Sequence, residues 1–154
     1  MSAVHLGHYL RLLHTAQCSL ARGFRAVADG HADDADIFHL CHKLGRQCQS
    51  HAEQLAPHAD RYADEAGDEP DALHSDIFGG PRSGGLGLLR DLQDLYVMAA
   101  EVDIVWTLVG QAAQGARDEE LFAVVGACEG ETAMQMKWLR TRLKQAAPQA
   151  LVVA

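Results

Sequence analysis

Apolar side chains recur along this chain at alternating spacings of four and three, the period of a single helix face. Leu6, Leu10, Leu13, Gln17, Leu20, Phe24 and Val27 form the first such stripe, and Ile37, Cys41, Leu44, Cys48, His51 and Leu55 the second. Leu88, Leu92, Leu95, Ala99, Val102, Trp106 and Val109 form the third. The fourth is Leu121, Val124, Cys128, Glu131, Gln135, Trp138 and Arg142. With the punctuation around them, these stripes predict helices over about 3–28, 34–60, 86–114 and 117–146. Asp29-Gly30 reads as a glycine stop, as does Gly115. Asp33 or Asp34 caps helix 2, and Pro57 kinks it or closes its main segment. Asp118, Glu119 and Glu120 suit the positive N-terminal end of helix 4, Arg140, Arg142 and Lys144 its last turns, and Pro148 its end. The apolar tail from Ala150 to Ala154 is expected on the bundle or in a subunit contact.

Link lengths predict the connectivity. Helices 1 and 2 are joined by a short link, as are helices 3 and 4, and short links make antiparallel neighbours. The connection over about 62–85 is different: acidic first (Asp64, Glu65, Asp68, Glu69, Asp71), then glycine-rich (Gly79-Gly80-Pro81, Gly84-Gly85). Compact domains rarely hold so long a structureless loop, so Leu73, Ile77 and Phe78 are expected to pin it to the helices. A helix of about 27 residues is roughly 40 Å long. An extended chain of about 20 residues reaches roughly 66 Å. The connection can therefore run the full length of the helices and leave helices 2 and 3 parallel. The expectation is one all-α domain over 1–154, a four-helix bundle of two antiparallel hairpins joined by a long crossover between helices 2 and 3.

Composition narrows the partners. Of 154 residues, 48% are apolar and only 6% aromatic, a mixture rich in Leu and Ala that suits packed helices. The net charge of -8, with no basic stripe, argues against nucleic acid. No apolar run approaches the ~20 residues that span a bilayer, so no membrane is expected as a partner. The segment Met1 to Leu13 lacks the basic-then-apolar order of a signal peptide, which predicts a cytoplasmic protein. Cys18, Cys41, Cys48 and Cys128 form no CxxC pair, lie on or near apolar faces, and read as buried reduced thiols. All nine histidines fall between His5 and His74.

Four mid-helix places break the apolar stripes: Gln17, the pair Cys48 and His51, Glu131 with Gln135, and Glu101 beside the third stripe. Polar groups in a helical core cost energy unless partnered. One polar layer at mid-bundle is also where four-helix proteins build metal and cofactor sites. The residues leave two readings open. One is a hydrogen-bonded network of Gln17, His51, Glu131 and Gln135. The other is a mononuclear site in which Cys48 and His51, three apart on one face, are joined by Glu131 and Glu101 around a single transition metal, Zn or Fe. Gly45 and Gly110, and Gly126 with Gly130 in helix 4, are expected to mark close helix approach, or room for a ligand beside Glu131.

By helix count, helix length and crossover position, the whole chain resembles the ferritin-like four-helix bundles. The di-iron members supply Glu from one helix of each hairpin and Glu-x-x-His from the other. Here the matching positions carry Gln17, Cys48-Gln49-Ser50-His51, Glu101 or Asp103, and Glu131-Thr132-Ala133-Met134. The resemblance thus implies a degenerate di-iron ligand set, since iron pairs need hard anionic oxygens and imidazole. Other clusters rank lower. His39 and His42 are expected at the surface or a subunit contact, and His5 and His8 at the surface. Met134, Met136 and Trp138 are read as packing, and no catalytic residue is assigned. The function expected is an oligomeric binding or scaffold protein, a homodimer by preference. The alternative is a metal-binding or redox protein using Cys48, His51 and Glu131.

Overall fold

The computed structural model describes residues 4–68 and 77–153, and among them every regular element is helical: α1 Val4–Gly30, α2 Ala35–Ala66, α3 Gly84–Gly115 and α4 Glu119–Leu151. The expected crossover anchor Leu73, with Glu69, Asp71 and His74, lies outside the described residues. The first three stripes are buried as their spacing requires, apart from the half-buried Leu88. They merge with the fourth helix into one apolar cluster in which Phe24, Trp106 and the leucines are the largest members. The α1–α2 seam is the most extensive and the α2–α4 seam the sparsest, while α1 also lies on α3 and α3 on α4.

Helix ends depart from expectation in several places. Of the two candidate caps for α2, Asp34 serves, as expected, its Oδ1 accepting from the Ile37 amide at 3.3 Å. Pro57 does not end α2, which continues to Ala66. Pro57 is exposed, so the carbonyl it frees faces water, while Leu55 and His58 on either side stay buried. Pro148 likewise does not close α4, which runs on to Leu151. The tail is not packed on the bundle, since Leu151, Val152 and Val153 are all exposed.

The α3–α4 link is tighter than a glycine stop at Gly115. Arg117 takes a left-handed backbone (φ 56°), the Asp118 amide bonds the Ala113 carbonyl, and the Arg117 amide bonds that of Gln114. These are the paired bonds of a Schellman cap, closed by a residue other than glycine. Arg117 therefore lies outside α4, whose N-cap is Asp118, accepting from the Leu121 amide at 3.1 Å. Gly30 serves packing more than stopping: a Cβ there would meet Pro81 Cβ at 2.6 Å. That close approach seats the end of the long connection on the end of α1. Phe78 packs half-buried against the core, as expected, whereas Ile77 is exposed.

Polar contacts tie the helix ends together. The buried Asp91 of α3 accepts from His31 Nε2 at 2.8 Å, from the Arg82 amide at 2.9 Å and from Arg82 Nη1 at 2.8 Å. Arg82 also pairs with Asp94, which Arg90 approaches from one turn away. Arg142 near the end of α4 meets Asp34 at the start of α2 at 2.6 Å. Tyr62 and Arg61 near the end of α2 meet Asp118 at the start of α4 at 2.7 and 2.8 Å. Arg11 reaches the Gly67 carbonyl at 3.3 Å. By length and composition α3 is apolar enough to cross a membrane, and under half of its most apolar window is buried in the bundle. Its other side leaves Val97, Ile104 and Leu108 exposed.

Candidate functional site

The rotation of α4 decides what the polar layer contains. Its buried stripe is Leu121, Val125, Cys128, Thr132, Gln135 and Leu139, not the stripe through Val124, Glu131 and Trp138. Thr132 therefore fills the core position expected of Glu131, and its Oγ1 accepts from Trp106 Nε1 at 3.1 Å. Glu131 sits on the flank with its side chain 47% exposed. Gln17, Cys48, His51 and Gln135 are fully buried, as the sequence predicts.

Two hydrogen-bonded strings cross the layer. In the first, Gln17 Nε2 lies 3.3 Å from His51 Nδ1, and His51 Nε2 lies 3.0 Å from Glu131 Oε1. Nδ1 accepts from the amide, and Nε2–H donates to the carboxylate. This tautomer leaves Gln17 Oε1 buried with no partner among the described residues. Turning the amide over would present that oxygen to Nδ1, which can donate only if it carries a proton. Amide orientation and the imidazole tautomer are thus coupled. Trp106 stands edge-on to the His51 ring at 6.0 Å between centroids. In the second string the Cys48 thiol donates to Gln135 Oε1 at 3.6 Å, and Gln135 Nε2 donates to Gln47 Oε1 at 3.1 Å.

Burial keeps the Cys41, Cys48 and Cys128 thiols protonated. It pushes Cys48 up to about 12, with the Gln135 bond opposing and the nearby Glu131 charge adding. Burial lifts Cys41 to about 12 against the pull of Arg142, and Cys128 to about 11 with help from Glu131. Cys48 and His51 share a face, but the sulfur is tied to Gln135 and both ring nitrogens are engaged elsewhere, so no thiol–imidazole nucleophile is assembled. As a metal cradle the expected set also falls short. Gln17 and Gln135 are neutral, Cys48 is a buried thiol, Glu101 is half-buried on α3, and Glu131 is half-exposed and already engaged by His51. Among the described residues no group of three or more His, Cys, Asp or Glu side chains is arranged to hold a metal ion. Cys48, His51, Glu131 and Glu101 do not form a ligand sphere.

Other expected positions resolve differently. His42 bonds Asp29 at 2.8 Å, His39 is exposed, and both lie edge-on to Phe38. His5 is exposed, but His8 is buried, with neither ring nitrogen partnered among the described residues. Met134 is exposed, while Met136 and Trp138 lie partly buried against the core. Sequence reasoning missed Asp91, Asp94 and the Tyr62–Asp118–Arg61 cluster. Asp91 and Asp94 flank Leu92 and Leu95 within the third stripe, a signal that was there to find. At Asp118, burial disfavours the charge, but the Tyr62 hydroxyl, the Leu121 amide and Arg61 outweigh it and hold the carboxyl below the usual carboxylate range. Comparison with protein-family models, with curated proteins and with solved structures returned no match.

Proposed function

We propose that this chain is a non-enzymatic, ferritin-like four-helix bundle with a degenerate di-iron position, acting as an oligomeric binding or scaffold protein. The observation that carries this reading is the fate of His51: its two nitrogens are taken by Gln17 and Glu131, inside a layer closed by amide and thiol bonds. A di-iron centre draws on four carboxylates and two imidazoles from these levels, and the residues in the layer do not fit that demand. The ferritin-like connectivity is supported by where the helix ends meet. Arg11 near the start of α1 reaches Gly67 just after α2, whereas His31 just after α1 reaches Asp91 near the start of α3. Gly67 thus lies near the start of α1 and Pro81 against its end, which supports two antiparallel hairpins with a full-length crossover. The binding or scaffold role is supported by apolar side chains left outside, among them Val97, Ile104, Leu108 and Met134.

The test is elemental analysis and sedimentation of untagged protein. We expect metal well below one equivalent per chain, no change in metal on His51→Ala, and a self-associated species. Metal near one equivalent that His51→Ala abolishes would instead establish the metalloprotein alternative.

A further inference from the structure

α4 buries one narrow stripe and leaves the opposite one bare. Diametrically across the helix from Cys128 and Thr132 run Ala123, Gly126, Gly130 and Ala133, all exposed. The glycines are the informative members. Other mid-helix glycines answer to crowding: a Cβ on Gly45 would lie 3.2 Å from the Ala21 carbonyl oxygen, and one on Gly110 would lie 3.2 Å from Val125. A Cβ on Gly126 or Gly130 would meet nothing within 4 Å, and neither has a positive φ. Glycine is among the poorest helix formers, so the fold of one chain disfavours both and explains neither. A bare strip of small residues, one turn apart, lets a second helix approach closely.

Charge along the same helix says which helix. On this face Glu119 is exposed in the first half, and Lys137 and Lys144 in the second. The complement of this face is a helix with the same charge order running the opposite way. α4 itself meets that description. A twofold axis would make the contact self-complementary, each acidic half against the other's basic half.

We propose that a second copy of this chain docks on α4, the two helices lying antiparallel about a twofold axis between Gly130 and Ala133. In that register Gly130 lies against Ala133 of the partner subunit, and Glu119 faces Lys144 of the partner subunit. The proposal rests on the oligomeric reading above and gives it an interface. The exposed Val97, Ile104 and Leu108 belong to α3 and take no part in this contact.

Sedimentation equilibrium of the full chain tests it. Wild type is expected to be a dimer. The double variant Gly126→Leu/Gly130→Leu, whose new side chains meet open space in the monomer, is expected to be monomeric with undiminished helix content. Because that variant alters the helix, a charge exchange provides a second readout. Lys144→Glu weakens the dimer about tenfold, and Glu119→Lys/Lys144→Glu restores it. A dimer untouched by all of these variants but split by Leu108→Asp overturns this interface and leaves the oligomeric reading standing. A wild type that stays monomeric at every concentration overturns both.

Discussion

Gln17 and His51 show how a buried polar side chain survives in an apolar bundle. Each is fully enclosed, and each takes the other as its partner across the α1–α2 seam. Glu131 is different, because its exposed carboxylate can turn to water. Truncating one member of the buried pair therefore costs more than removing both. We expect His51→Leu to destabilise by about 1–3 kcal/mol, because it strands the Gln17 amide. Gln17→Leu/His51→Leu should recover most of that loss, and Glu131→Gln should change little. Urea denaturation of the single and double variants supplies the coupling; strictly additive losses would mean that the pair does not act as one. The burial of Gln17, Cys48, His51 and Gln135 was legible in the sequence, because each interrupts an apolar stripe. The position of Glu131 was not. It stands next to Thr132, and a helical period read on one strand of sequence accommodates either neighbour.

Among the elements, α4 shows most clearly how local signals compete. Its start is set by Asp118, which caps the helix and holds Tyr62 and Arg61 of α2. Three donors keep that carboxylate ionised to lower pH than in the unfolded chain. The sign follows: its contribution is complete above the unfolded value, about 3.9, and is lost as pH falls through the depressed folded value. Asp118→Asn keeps the capping oxygen but removes the charge. It should lower stability at neutral pH and flatten the acid limb of a denaturation profile taken from pH 7 to pH 2. An unchanged acid limb would show that Asp118 is not among the groups that drive acid unfolding. Asp34 was visible as one of two candidate caps, for the chemistry of a cap is local, whereas Asp118 was legible only as a charge suited to the start of helix 4. At Pro57 the sequence left a kink and a stop both open, since the choice depends on the burial of Leu55 and His58 against other helices.

At the scale of the whole molecule, the enclosed Asp91 carboxylate is a junction between elements. Asp91 gathers the Arg82 amide, the Arg82 guanidinium and His31, and so fastens the chain entering α3 to the end of α1. Asp91→Ala should release that fastening before it melts the bundle. Hydrogen exchange would show the Arg82 amide protected in the wild type and fast in the variant, with the mid-helix amides of α1 still slow; equal protection in both would remove Asp91 from this role. Four helices, the buried stripes of the first three and two short links were determined by the sequence alone, because helical period, capping and chain length act between near neighbours. The side that α4 turns inward, the exclusion of Glu131 from the core and the enclosure of Asp91 were decided only by tertiary structure. Val124 and Val125, Glu131 and Thr132, or Trp138 and Leu139 are equivalent choices for an isolated helix, and only the surfaces of α2 and α3 distinguish them.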